Sequence, residues 1–247
     1  MSGPTGPLGF DEDEAAPAPP RSPAPARLAP RLPPGAGRYG WFVGVLVVLI
    51  LAYITLNTVR SSGPGSRGPR PGSPLPPFAA PLATSPLIGD VNVARGRDQG
   101  AAGDRPACDV RGPDVVNSCQ LAARGPVVLA FMATSGSQCR RELDYLQQVR
   151  PRHPGLQIAA VAIRGDRAGL RALIRSRGWR FPVAYDRDGI LANLYGVAVC
   201  PQITYALPGG RVQGTSIGEL GPNALDRRLA GLEQAARRQG WAPPAAR

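Results

Sequence analysis

The sequence predicts an α/β domain with a mixed central sheet and helices on both faces, behind one N-terminal membrane-spanning helix. Three observations predict it. Apolar runs at 126–134 and 156–163 flank an amphipathic helical stretch at 137–150, which makes a strand–helix–strand unit. A hairpin pattern at 202–207 and 211–217, turning on Pro208-Gly209-Gly210, precedes an amphipathic helix at 222–238. Near the other end, residues 39–59 carry no charge between Arg38 and Arg60.

That uncharged stretch contains WFVGVLVVLILAYITL at 41–56. It is long enough for a hydrocarbon core of ~30 Å at ~1.5 Å per residue. Tyr39 and Trp41 sit at one end, where amphipathic rings favour the interface. A cleaved signal peptide is the rival reading; the long apolar run, the long N-terminal extension and the lack of a small-x-small site following closely favour an uncleaved anchor. Arg21, Arg27, Arg31 and Arg38 precede the span and Arg60, Arg67 and Arg70 follow it. This bias, with four cysteines behind an anchor, places the N-terminus in the cytoplasm and the folded domain outside the cell membrane.

The flanks differ from the rest. Residues 1–38 and 60–103 are rich in Pro, Gly, Ala and Arg. Such composition buries little apolar surface, so the first is expected as a disordered tail and the second as a disordered linker. The folded domain is expected over 104–240, with 241–247 as a short tail. All 29 basic residues are Arg and the net charge is +12. The arginines are scattered and no basic helix is interleaved with aromatics, so a nucleic-acid surface is not expected.

Within the domain, 106–121 reads as two short strands around Arg111-Gly112-Pro113-Asp114. The run at 126–134 is apolar throughout, as a central buried strand requires. The helix at 137–150 turns Leu143, Leu146 and Val149 to one side and its charged residues, Glu142 among them, to the other. A second buried strand follows at 156–163. Residues 166–177 form a helix ended by Gly178, 181–185 a short strand, and 189–195 a short helix ended by Gly196. The terminal helix points Leu225, Leu229 and Leu232 inward. Asp186-Arg187-Asp188-Gly189 reads as a turn and helix cap, since the remainder of a calcium loop is missing. The single histidine, His153, lies in Arg150-Pro151-Arg152-His153-Pro154 and is expected at the surface. No Cys/His set with metal-ligand spacing and no phosphate-binding glycine loop occurs, so no metal or cofactor is expected.

Three stretches carry a resemblance: VVLAFMATSGSQCRREL at 127–143, FPVAYDRDGILANLYGV at 181–197, and VCPQITYALPGGRV at 199–212. They resemble the strand, CxxC helix and cis-proline loop of the thioredoxin superfamily. Among these, the membrane-anchored proteins of the TlpA and ResA type are most similar, and the peroxiredoxin-related redoxins more loosely so. The resemblance implies a thioredoxin-like fold, an extracytoplasmic thiol–disulfide oxidoreductase, and protein thiols or disulfides as partners. It also shows a degenerate motif. Where the family has CxxC, this chain has Gly136-Ser137-Gln138-Cys139, so the place of the nucleophilic cysteine is Gly136. The family's active-site tryptophans fall at Met132 and Ser135, and a buried carboxylate of classical thioredoxins falls at Ala130. Three residues before Cys139, where peroxiredoxins need Thr or Ser, the chain has Gly136.

Four cysteines allow three pairings. Cys108 and Cys119 flank the first expected hairpin and are expected as a structural disulfide, two free buried thiols being the alternative. Cys139 and Cys200 remain. In the family, the residue before the cis-proline lies over the active-site cysteines, and here that residue is Cys200, followed by Pro201. The expectation is a relocated dithiol, with Cys139 as the thiol, favoured by the helix start and by Arg140 or Arg141, Cys200 as its partner, and Pro201 shaping the groove. The alternative leaves Cys139 as a buried relic and the chain as a non-catalytic thioredoxin-fold binding or scaffold protein, which holds a polypeptide by strand pairing.

Overall fold

The computed structural model describes residues 36–60, 66–97, 99 and 104–243. The expected N-terminal tail falls almost wholly outside these residues. The chain divides into two units, Met1–Asn57 and Thr58–Arg247.

In the first unit, helix α1 (Ala36–Arg60) covers the expected apolar stretch. Its side chains are described over 40–56, and all of them are exposed, Trp41 at 67% and Leu49 at 61% among them. The expected span of 39–59 is met only in part: among the described residues no helix is long and apolar enough to cross a membrane. Residues 40–56 reach about 25 Å at ~1.5 Å per residue, short of a core of ~30 Å.

The second unit is built on five strands in the order β5-β4-β3-β6-β7. These are β3 (Val127–Ala133), β4 (Gln157–Ile163), β5 (Val183–Asp186), β6 (Gln202–Ala206) and β7 (Val212–Ile217). β3, β4 and β5 run parallel, and β6 and β7 antiparallel to their neighbours. The helices between them are α3 (Ser137–Val149), α4 (Arg167–Arg177) and α5 (Ile190–Leu194), and α6 (Pro222–Arg238) follows β7. The sheet is mixed and covered on both faces, as the sequence predicts.

Central strand β3 shows why its sequence is an unbroken apolar run. Val128, Ala130 and Met132 pack with Leu143 and Leu146 of α3 and Leu225, Leu229 and Leu232 of α6. Val127, Leu129 and Phe131 point the other way, against Phe78, Leu121, Leu191 and Tyr195. A strand buried on both faces has no polar side to reveal by alternation. The helix boundaries follow local chemistry: the Asp166 carboxylate accepts from the amides of Ala168 and Gly169 to start α4, and Gly178, with φ +66°, ends it in the left-handed region.

Two expectations fail. Residues 66–97 are not a linker but part of the fold. Strand β1 (Ala79–Pro81) pairs antiparallel with β2 (Val115–Asn117), and Leu75, Phe78, Ala80 and Val91 are buried. The amide of Leu75 donates to Gly210 O at 2.6 Å, and Val212 N to Ser73 O at 2.8 Å. Arg167 and Arg171 donate to carbonyls of Leu82, Ala83 and Ser85. Proline already restricts the unfolded chain, so few apolar anchors suffice to order this segment. The hairpin expected at 106–121 is also absent. Its first half is a 3-10 turn, Ala107–Asp109, and its second is β2 leading into α2 (Ser118–Arg124). Asn117 decides this: its side chain accepts from Gln120 N to start α2 and donates to Ala107 O and Val110 O.

Candidate thiol–disulfide site

The site lies where β3 ends and β6 begins. β3 runs out through Thr134 and Ser135 to Gly136, the N-cap of α3. The pairing of Phe131 with Gln202 brings the start of β6 beside the end of β3. The residues before Gln202 are Cys200 and Pro201, joined by a cis peptide bond. Cys139, in the first turn of α3, is bonded to Cys200, with sulfurs 2.07 Å and Cα atoms 5.5 Å apart across 61 residues of sequence.

Gly136 makes room for this bond. A Cβ built at Gly136 would stand 2.5 Å from Cys139 Sγ, and atoms cannot approach so closely. The sulfur of Cys139 thus occupies space that any larger residue at position 136 would claim. Cys139 is 3% exposed, whereas Cys200 is only half-buried. The Cys200 sulfur accepts the Ala133 amide at 3.2 Å, and it faces the Phe131 carbonyl at 3.6 Å.

The surrounding charges differ from expectation. Arg140 donates to Thr134 O at 2.8 Å, holding the loop before α3, and Arg141 makes a two-pronged bond to Glu219 at 2.9 and 2.7 Å. Both guanidiniums are thus bonded to oxygen acceptors. Glu142, expected on the charged face of α3, is fully buried. One carboxylate oxygen accepts from Leu220 N at 3.0 Å and Gly221 N at 3.4 Å, while the other has no partner. Burial raises its pKa, and the two amide bonds offset part of the rise. Spacing holds the missed signal: Cys139, Glu142, Leu143 and Leu146 follow one helical stripe. Asp186 is also fully buried and its pKa raised by burial; its carboxylate accepts from Leu191 N and Ala192 N, which caps α5 as expected of that turn.

His153, expected at the surface, is 5% exposed. Its Nε2 lies 3.0 Å from Asp226 Oδ1, and its Nδ1 lies 3.3 Å from Glu233 Oε2 without hydrogen-bond geometry. Both carboxylates belong to α6, so the loop after α3 is tied to the last helix. The hydrogen bond from His153 lowers the pKa of Asp226. Among the described residues, no group of three or more His, Cys, Asp and Glu side chains is placed to hold a metal ion. The other two cysteines, Cys108 in the 3-10 turn and Cys119 in α2, form a second bridge with Cα atoms 5.4 Å apart.

Residues 106–212 match the model of the AhpC/TSA family. That segment is similar to the redoxin domains of this family. The chain is 29% identical over 114 residues to the thiol-disulfide oxidoreductase ResA of Oceanobacillus iheyensis, a match covering 45% of this chain and 57% of that protein. With the protein of the same name from Geobacillus thermodenitrificans it shares 25% identity over 109 residues, covering 43% of this chain and 63% of the relative. Each match spans less than two thirds of the relative's length. A crystal structure described as a thiol:disulfide interchange protein DsbE from Chlorobium tepidum superimposes with a TM-score of 0.51 at 21% identity, over 68% of this chain and 97% of that one. The fold is therefore thioredoxin-like, as the sequence predicts.

Proposed function

We propose that this chain is a membrane-anchored, extracytoplasmic thiol–disulfide oxidoreductase whose working pair is Cys139 and Cys200, with Pro201 bordering the site. The observation that carries the reading is the space at Gly136. The sulfur of Cys139 fills the position a side chain at 136 would take, and from there it reaches Cys200. The lost cysteine and the added one are thus two halves of one rearrangement. Protein thiols and disulfides are the partners this pair suits, exchanging through a mixed disulfide. The exchange itself needs no cofactor.

Turnover of a generic protein disulfide under a dithiol reductant tests the reading. The parent chain is expected to be active, and Cys139→Ser and Cys200→Ser to be inactive. Activity unchanged in both variants would overturn it. A non-catalytic binding module is the second reading, favoured by the burial of Cys139. It predicts partner binding unaltered by Cys139→Ser and a bridge indifferent to reductant.

The anchor is α1. Its helical backbone continues beyond the described side chains to Ala36 and Arg60, about 37 Å at ~1.5 Å per residue. Every side chain described on it is exposed and most are apolar, a surface suited to lipid. The chain is expected to stay in membranes through alkaline carbonate washing, and a variant lacking 1–65 to be released. Release of the full chain would remove the anchor from the proposal. Labelling of reduced Cys200 by a membrane-impermeant alkylating agent in intact cells is expected for an extracytoplasmic domain.

A further inference from the structure

The two sulfurs of the bridge are not equivalent, and their surroundings set the order in which they act. Cys139 is 3% exposed and lies against Gly136. Cys200 is half-buried and follows Val199, a residue 53% exposed, in the loop before β6. Ile217, 44% exposed, pairs with Gln202 two residues beyond Cys200. A cleft of about 630 Å³, lined by Ala133, Thr134, Ser135, Arg164, Asn193 and Val197, opens at the end of β3. Ala133, whose amide donates to Cys200 Sγ, forms part of that lining. The more accessible sulfur is Cys200, and the exposed Val199 precedes it directly.

We infer that Cys200 is the cysteine that forms the mixed disulfide with a target polypeptide, and that Cys139 resolves it, the reverse of the expectation from sequence. The inference rests on the thiol–disulfide exchange reading above. Starting from the oxidised protein, a target thiolate attacks Cys200 Sγ. The Cys139–Cys200 bond breaks, and its electron pair leaves on Cys139 Sγ. This departing thiolate lies in the first turn of α3, where unpaired backbone amides favour negative charge, and a stabilised thiolate is the faster leaving group. A second target thiolate then attacks the target sulfur of the mixed disulfide. The electron pair leaves on Cys200 Sγ, which the Ala133 amide holds at 3.2 Å. The target gains a disulfide, the protein becomes a dithiol, and the two target thiol protons end on Cys139 and Cys200 by way of solvent. With a disulfide target and the reduced protein the same steps run backwards, Cys200 attacking first.

The test maps where a thiol lands. The full chain, purified oxidised in mild detergent, is treated briefly with N-acetylcysteine and quenched in acid. Free thiols are blocked and the peptides carrying Cys139 and Cys200 are quantified by mass spectrometry. The adduct is expected on Cys200, in excess over Cys139 by at least ~10-fold, since access controls which sulfur is attacked. Adduct on Cys139 in equal or greater amount overturns this order and leaves the exchange reading intact. A bridge that gives no adduct at either residue overturns both. Single variants supply a second readout: with glutathione disulfide, Cys139→Ser is expected to load Cys200 at least ~10-fold faster than Cys200→Ser loads Cys139. The opposite ranking contradicts the inference, and the parent-chain mapping decides the matter if a variant fails to fold.

Discussion

At the scale of single residues, the absence of a side chain at Gly136 is as informative as the presence of a sulfur at Cys200. Gly136→Ala is expected to push Cys139 Sγ out of its seat, leaving two more free thiols in the air-oxidised protein by thiol titration. Turnover would fall by on the order of 100-fold, the scale of a displacement of about 1 Å at a reacting centre. An unchanged thiol count would contradict this account. Glu142 supports a second prediction. Burial raises its pKa above the unfolded value near 4.5, so the neutral form favours folding. That contribution is complete below the unfolded pKa and is lost as pH rises through the folded one, at up to about 1.4 kcal/mol per pH unit. Urea unfolding from pH 4 to pH 8 is expected to show Glu142→Gln losing less stability with rising pH than the parent; parallel profiles would refute it. These residues were unequally legible in the sequence. Cys139 and Cys200 stood out because their neighbours match a family pattern, whereas Glu142 was hidden by its charge despite lying on the buried stripe. His153 was hidden because Asp226, its partner, lies 73 residues away.

At the scale of elements, the strands β3 and β4 and the helices α3, α4 and α6 were legible because each carries its own periodicity and its own caps. β1 was not. Its three residues are Ala79, Ala80 and Pro81, and the strand they pair with, β2, lies 30 or more residues away. The turn at Ala107–Asp109 was misread for a related reason: Asn117 can end a strand and start a helix in one position, and hydrophobic pattern does not distinguish that from a hairpin. The bridge between Cys108 and Cys119 ties these two elements together over a separation of 11 residues. The double variant Cys108→Ser, Cys119→Ser is expected to lose about 2–3 kcal/mol of stability in urea unfolding, by the loop-entropy estimate. The thiol adduct on Cys200 should be unaffected. Loss of the adduct would mean that the two bridges are coupled.

At the scale of the whole molecule, the thioredoxin-like domain is a two-faced core around one central strand, and the Cys139–Cys200 bond joins a helix on one face to the loop that leads into β6. Closing a loop of 61 residues restricts the unfolded chain by about 4 kcal/mol. The oxidised domain is therefore expected to melt roughly 10 °C above the dithiol form in differential scanning calorimetry. Equal melting temperatures would show that the native state returns the advantage elsewhere. The same free energy is bound to appear twice. Whatever the bond contributes to folding, folding contributes to the bond, because the four states of folded and unfolded, bridged and open, form a closed cycle. At about 1.4 kcal/mol per 30 mV, the folded chain holds its bridge roughly 90 mV more tightly than the unfolded chain does. Substitutions that selectively weaken the folded bridged state, even far from the sulfurs, would then make the protein a stronger oxidant, and the poise of the site becomes a property of the entire fold.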